Sequence, residues 1–385
     1  MLFTRQEMEE RERQTLAPYG LKSADSQGRE HEEDEPADRT AFQRDRDRII
    51  HTTAFRRLEY KTQVFVNHEG DYYRTRLTHT IEVAQIGRTI ARALGANEDL
   101  TEAICLVHDI GHPPFGHSGE ASLERLMKQF GGFDHNKQAL RIVTVLERRY
   151  RDFPGLNLTY EVREGIVKHE TEYDVSSAAG YAPKKRGSLE AQIANAADEL
   201  AYTAHDLDDG LYARLLTPQQ VDGMQLWEMV RQQKPFRTED FDELTRHEVI
   251  RRLIGILVRD VCQATAARIE QAGPKSVDAL QRLRANVIGH SDALAGPVRE
   301  LKDFLYKNMY YHYRTVRMAR KAERFLTMLF NVYLEDPDQL PHSVRPAAEG
   351  DAAQRARAVC DYVAGMTDRF ALQEYEKLFE PFTRP

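Results

Sequence analysis

The chain has 385 residues, 41% hydrophobic and 30% charged, with a mean hydropathy of -0.62, the balance of a soluble globular protein with no run near the ~20 apolar residues of a membrane-spanning helix. Its formal net charge of -7 argues against a surface that attracts nucleic acid or anionic lipid as a whole. Cys105, Cys262 and Cys360 stand far apart, which excludes a disulfide framework, and the charged N-terminus lacks a signal-peptide core, so the expectation is a cytoplasmic protein.

In chain order, residues 18–40 read first as an irregular loop, mobile or ordered by a ligand, with Pro18, Gly20, Gly28, Pro36 and an acidic run from Glu30 to Asp34. Lys61 to Asn67, then Glu69-Gly70-Asp71 and Tyr72-Tyr73, suggest one small β-hairpin. Residues 79–94 set His79, Val83, Ile86 and Ile90 on one helical stripe, and 99–108 form a short apolar helix. Further helical patterns run about 119–130, 136–150, 161–169, 189–205, 240–272, 275–290, 295–335 and 350–380. Irregular stretches fall at 178–188 and 335–351, and no solenoid repeat is present. The fold expected is all-α, with at most a minor β element.

Two basic clusters stand out on this acidic chain: Arg44, Arg46, Arg48, Arg56, Arg57, Lys61, Arg74 and Arg76, and then Arg314, Arg317, Arg320, Lys321 and Arg324. Each reads either as a solvated face with partnered charges or as a site for a confined anion such as a triphosphate.

The strongest local signal is His108-Asp109-Ile110-Gly111-His112-Pro113-Pro114-Phe115-Gly116-His117. Imidazole and carboxylate are the ligands of divalent transition ions. Adjacent helical residues diverge by about 100°, so both can reach one ion only near a helix end. The prolines and glycines supply that end. His79 lies on an apolar stripe and reads alone as a core histidine or as a ligand. Asp198 sits among small apolar residues, where a carboxylate needs a metal or a salt bridge. Asp198, Tyr202 and Asp206 are spaced by four, so successive members advance about 6 Å along one helix side. His117 and Glu120, three apart, share a helical face. No phosphate-binding glycine loop and no G-x-S-x-G serine elbow is present.

The order His79, His108-Asp109, Asp198 resembles the HD superfamily of metal-dependent phosphohydrolases. Asp45-Arg46-Asp47-Arg48-Ile49-Ile50-His51, Ala54-Phe55-Arg56-Arg57-Leu58, Lys61-Thr62-Gln63-Val64-Phe65, Arg74-Thr75-Arg76-Leu77-Thr78-His79, Phe133-Asp134-His135-Asn136, Lys168-His169-Glu170 and Ala201-Tyr202-Thr203-Ala204-His205-Asp206 narrow it to the deoxyguanosinetriphosphate triphosphohydrolase-like family. The match is dense over residues 26–215 and thins in the C-terminal helices.

The resemblance implies an HD helical bundle with additional C-terminal helices: an arm and loop over 1–40, a phosphohydrolase core over 41–215 and a helical extension over 216–385. It implies cleavage of a deoxynucleoside triphosphate (dNTP) into deoxynucleoside and inorganic triphosphate. His79, His108, Asp109 and Asp198 would hold a divalent ion, Mn²⁺, Mg²⁺, Fe²⁺, Co²⁺ or Ni²⁺, and His117 and Glu120 would carry the acid–base work. Arg76, His135 and Tyr202 would contact phosphates, and Asp206 with Gln63 the sugar. Relatives also suggest a homo-oligomer, a hexamer being favoured, with dNTP activating at a second site; the Arg44–Arg57 stretch and the loop Ser26-Gln27-Gly28-Arg29 are candidates for it. The rival readings are another HD phosphohydrolase, acting on a nucleoside monophosphate, cyclic dinucleotide or alarmone, and a nucleotide sensor or single-strand nucleic-acid binder.

Overall fold

The computed structural model describes residues 2–63, 73–169, 180–348 and 350–383. Seventeen α-helices occur among them, with no strand; two isolated bridges, Thr62 with Thr75 and Arg148 with Gly155, are the extended pairings there. The hairpin expected over 61–73 falls mostly on 64–72, outside the described residues. The fold is all-α, as the 3.6-residue periodicity predicts, and no helix among the described residues is long and apolar enough to cross a membrane.

The helices gather into two compact units, each built from three stretches of chain. The first comprises Met1–Ile50, His79–Val107 and Leu156–His312. Its axis is the helix Leu189–Tyr212, started by the Ser188 side chain, which accepts from the Ala191 amide. The helix buries residues on nearly every side, from Leu189 through Ala197 and Leu200 to Leu211. Helices Glu98–Val107, Tyr160–Val167, Glu243–Ala272 and Asp292–Leu305 pack round it.

The N-terminal loop of this unit is irregular but tied. Glu161 accepts from Ser26 Oγ and the Gln27 amide, and Arg29 pairs with Asp45 and Glu35. Arg44 and Arg48 pair with Glu33, and Arg46 with Asp99 and Glu102. The basic cluster at 44–48 is therefore matched by carboxylates, many from the acidic run just before it, which leaves little free charge for an anionic effector.

The second unit comprises His51–Thr78, His108–Gly155 and Tyr313–Pro385. Helix Gly116–Met127 buries Leu123 and Met127 against Leu326, Leu329, Phe330 and Tyr333 of helix Tyr313–Glu335 and against Val359, Cys360 and Val363 of helix Ala352–Ala364. At ~1.5–3 kcal/mol for each fully buried large apolar side chain, this cluster fixes the position of the helix that carries His117 and Glu120.

Some elements are shorter than their patterns suggested. The helix expected over 295–335 is two, Asp292–Leu305 and Tyr313–Glu335, interrupted by a π turn at Tyr306–Tyr310. The stretch 350–380 breaks at Gly365, and Thr367 caps a new helix, Asp368–Phe379. Over 275–290 only Val277–Gln281 is helical. Beyond it the backbone bonds elsewhere, Val287 N–H donating to Gln192 and the Arg284 carbonyl accepting from Arg186.

Candidate active site

In the second unit the chain enters at His108-Asp109, where Gly111, Pro113 and Pro114 prevent further helix. Asp109 is buried. Its Oδ1 lies 2.8 Å from Arg76 Nη1 and 3.1 Å from His112 Nε2, with His108 Nε2 at 3.6 Å. Its Oδ2 is buried with no hydrogen-bond partner among the described residues. Burial opposes ionisation of this carboxyl, but Arg76, His108 and His112 outweigh it and hold Asp109 well below the usual carboxylate range. A buried anion with one oxygen unmatched is a strong pull for a cation. The loop rests directly on the next helix: a Cβ on Gly111 would come within 2.0 Å of the His135 carbonyl oxygen, so only glycine fits.

Helix Gly116–Met127 begins after Phe115, whose φ of 65° is left-handed and strained for a bulky residue. Glu120, one turn in, faces three histidines. Its Oε1 accepts from the His135 amide at 2.9 Å and lies 2.8 Å from His135 Nδ1. Its Oε2 lies 3.6 Å from His117 Nδ1. The His112 and His135 rings stack at 4.0 Å, and one ligand atom each from His112, Glu120 and His135 lie within 4.8 Å of one another. Burial would raise the Glu120 carboxyl, but His135, His117 and His112 hold it far below its ordinary value. Burial, Arg76 and His135 likewise push the His112 imidazole well down, so it is neutral. The His117 side chain is half-exposed (51%), whereas those of His112 and His135 are buried.

In the first unit His79, on helix Arg76–Leu94, sets Nε2 2.8 Å from Asp198 Oδ1, and the second Asp198 oxygen lies 3.5 Å from His169 Nε2. His169 Nδ1 is 2.7 Å from Asn195 Oδ1. Tyr202 stacks parallel to Tyr310, ring centres 6.1 Å apart, and Asp206 is buried one turn on. His205 contacts the His79 ring edge-to-face and pairs with Glu82 at 3.2 Å. Gln63, in the second unit, has a buried Oε1 with no hydrogen-bond partner among the described residues.

Residues 76–203 match the HD domain and residues 288–377 the phosphohydrolase-associated domain. Over 376 residues, 97% of each chain, the sequence is 51% identical to the deoxyguanosinetriphosphate triphosphohydrolase-like protein of Geobacter metallireducens. The chain belongs to the deoxyguanosinetriphosphate triphosphohydrolase-like family. It is also 49% identical to the proteins of that name from Ralstonia nicotianae, over 94% of each chain, and Bordetella pertussis, over 95% of this chain and 96% of the other. It is thus an HD-domain hydrolase of this family.

HD domains depend on metal, and the donors here fit one: histidine nitrogens with aspartate oxygens, one of them the unmatched Asp109 Oδ2. The sequence motifs pointed to His117 as the partner of Glu120, but the shorter contacts of that carboxylate are to His135. Two residues have structural roles that the motifs did not assign: Asp368, which no motif contained, and Lys61, which stands in one without a role. Asp368, on the C-terminal helix, accepts from the Phe115 amide at 2.8 Å and the Thr62 amide at 2.9 Å. Lys61 donates from Nζ to the His112 and Ala364 carbonyls. Only the Phe-Gly turn hinted that such an anchor would be required.

Proposed function

We propose that the protein hydrolyses deoxynucleoside triphosphates to deoxynucleoside and inorganic triphosphate. The observation that carries this is the Asp109–Arg76–His112 and Glu120–His135–His117 constellation in a chain half identical, end to end, to relatives of that name. In this reading water adds to the α-phosphorus and the bond to the 5′-oxygen breaks. That oxygen leaves with a proton as the deoxynucleoside, and the tripolyphosphate keeps the oxygen from water.

His79, His108, Asp109 and Asp198 would hold the divalent ion, Mn²⁺ and Fe²⁺, Co²⁺ or Ni²⁺ suiting the donor set better than Mg²⁺. When bound, it supplies positive charge against the α-phosphate. Arg76 keeps Asp109 ionised and presents guanidinium N–H groups to phosphate oxygens. His117 moves the proton, and Glu120 orients the histidines by accepting from them. His135 meets phosphate. From Asp198 through Tyr202 to Asp206 the helix rises ~12 Å, which suits a ligand whose phosphates lie at Asp198 and Tyr202 and whose sugar lies at Asp206, with Gln63 beside it. A homo-oligomer and activation by a second nucleotide belong to the same proposal.

The test is product analysis with each of the four dNTPs and Mn²⁺, singly and mixed. Deoxynucleoside plus tripolyphosphate, absent with Asp109→Ala, is expected, and a mixture faster than its components would register activation. Monophosphate plus pyrophosphate would overturn the reaction and turn attention to other HD substrates.

A further inference from the structure

In the first unit, two loops and the start of a helix enclose a cavity of about 400 Å³, near the small end of the ~300–1,000 Å³ range of ligand sites. None of the residues assigned above to substrate or metal lines it. Six cationic side chains do: Lys168, Lys184, Lys185, Arg186, Arg282 and Arg284. No carboxylate is among the lining residues. Lys168 pairs with the buried Glu164, and Lys185 and Arg282 share Asp278. Arg186 donates to the Arg284 carbonyl, which orients a cation without cancelling its charge. Lys184 and Arg284 have no carboxylate partner among the described residues. Six cations against two carboxylates leave an excess of four.

The backbone holds these like charges round one space. The Arg186 amide donates to the Gln281 carbonyl, the Val287 amide to Gln192 Oε1, and Gln192 Nε2 to the Gly187 carbonyl. Their field is felt by Asp278, whose carboxyl, though exposed, is drawn down to about 2 by Arg282 and then Lys185. The helix Leu189–Tyr212 adds the positive end of its dipole, because Gly187 and Ala191 at its start belong to the lining. Apolar lining is confined to Pro183, Ala191 and Leu283, with no aromatic ring, so a nucleobase finds no surface on which to stack. A single phosphate group carries about −1.5 to −2. An excess of four therefore suits a chain of two or three.

We propose that this cavity binds a condensed inorganic phosphate, a short chain without a nucleoside. Tripolyphosphate is the member that the hydrolysis proposed above would release; that choice of source rests on that reading, whereas the site itself does not. Asn195, in the cavity wall, has Oδ1 2.7 Å from His169 Nδ1, and His169 Nε2 lies 3.5 Å from Asp198. One side chain thus separates the cavity from a proposed metal ligand, and a tripolyphosphate freed at the metal would meet it close by.

The test is lysine footprinting of the full chain with an N-hydroxysuccinimide ester of acetate, mapped by peptide mass spectrometry at constant ionic strength. Tripolyphosphate is expected to protect Lys184 and Lys185 at a concentration at least tenfold below that of orthophosphate, and to leave the exposed Lys128 of the second unit unchanged. Arg284→Ala, at an exposed position, should raise that concentration about tenfold, as loss of one charge-assisted contact would, with the unfolding midpoint unchanged. Asp109→Ala should keep the protection; its loss there would put the ligand at the metal centre and overturn the site. Orthophosphate as effective as tripolyphosphate, or no protection at all, would also overturn it. In the Asp109→Ala chain, protection by deoxyguanosine triphosphate or by an oligothymidylate at a lower concentration than tripolyphosphate would overturn the ligand without a nucleoside. Long-chain polyphosphate acting below tripolyphosphate would keep the site and replace the source. Protection without dNTP turnover would sink the hydrolysis and keep the site, and turnover without protection would do the reverse.

Discussion

Glu120 shows how few atoms the proposed chemistry needs. One carboxylate, ionised despite burial, touches His135 and His117 and lies beside His112. Glu120→Gln keeps the shape and removes the charge, so the histidines lose the carboxylate that orients them and turnover should fall ~10²–10⁴-fold, the range of a lost acid–base function, with little change in KM; an undiminished kcat would remove Glu120 from the mechanism. Asp368 acts at one remove, as a positioning residue. By fixing the amide of Phe115 it holds a left-handed turn from which His117 departs. Asp368→Ala strands three buried donors, the Phe115 and Thr62 amides and the Thr62 hydroxyl, at ~1–3 kcal/mol each and should lower both the unfolding midpoint and kcat. Asp368→Asn, which keeps only one of the two acceptor oxygens, should recover part of kcat, and a kcat no better than that of Asp368→Ala at equal stability would reduce Asp368 to general packing. His79, Asp109 and Asp198 were singled out from residue type and order. Asp368 was not, because nothing near it in sequence announces that its partners are Thr62 and Phe115, more than 250 residues away.

At the scale of elements, periodicity found most of the helices that bury an apolar stripe, though not Gln225–Gln233, which buries Leu226, Trp227 and Val230. Arg5–Thr15 buries none of its residues, so it has no apolar face to detect. Ala41–Ile50 hides among charges, because Asp45 and Arg48 are themselves buried in ion pairs. The helix after the catalytic loop was expected from 119 and starts at Gly116; three residues decide whether His117 and Glu120 share a face. That start is set by a close approach, since a Cβ on Gly119 would lie 1.9 Å from the Pro114 carbonyl oxygen. Gly119→Ala must push the helix off the loop. It should destabilise by ~1–3 kcal/mol, the usual range for overpacking, read as a lower denaturant midpoint, and should lower kcat through the displaced His117. A variant as stable and active as wild type would mean that the loop yields freely.

At the scale of the molecule, helical class was legible because it needs only the local period, whereas two units each assembled from three separated stretches depend on tertiary packing that no local pattern encodes. Stability is likewise a property of the whole, and Lys61 gives it a testable pH dependence. Its ammonium titrates near 7 in the folded chain against an ordinary 10.5. Below pH 7 both folded and unfolded chains hold the proton, and the folded chain bears the full penalty of burying the charge. Between 7 and 10.5 the folded chain has released the proton while the unfolded one still binds it, so stability rises with pH, by at most ~1.4 kcal/mol per unit. Lys61→Met removes that titration and leaves two carbonyls unpaired, a cost that does not vary with pH. The unfolding free energy of wild type minus that of Lys61→Met should therefore be level below pH 7 and climb above it. A difference that stays level from pH 6 to 10 would mean that the ammonium keeps its proton in the folded chain, its charge carried by the carbonyls of His112 and Ala364.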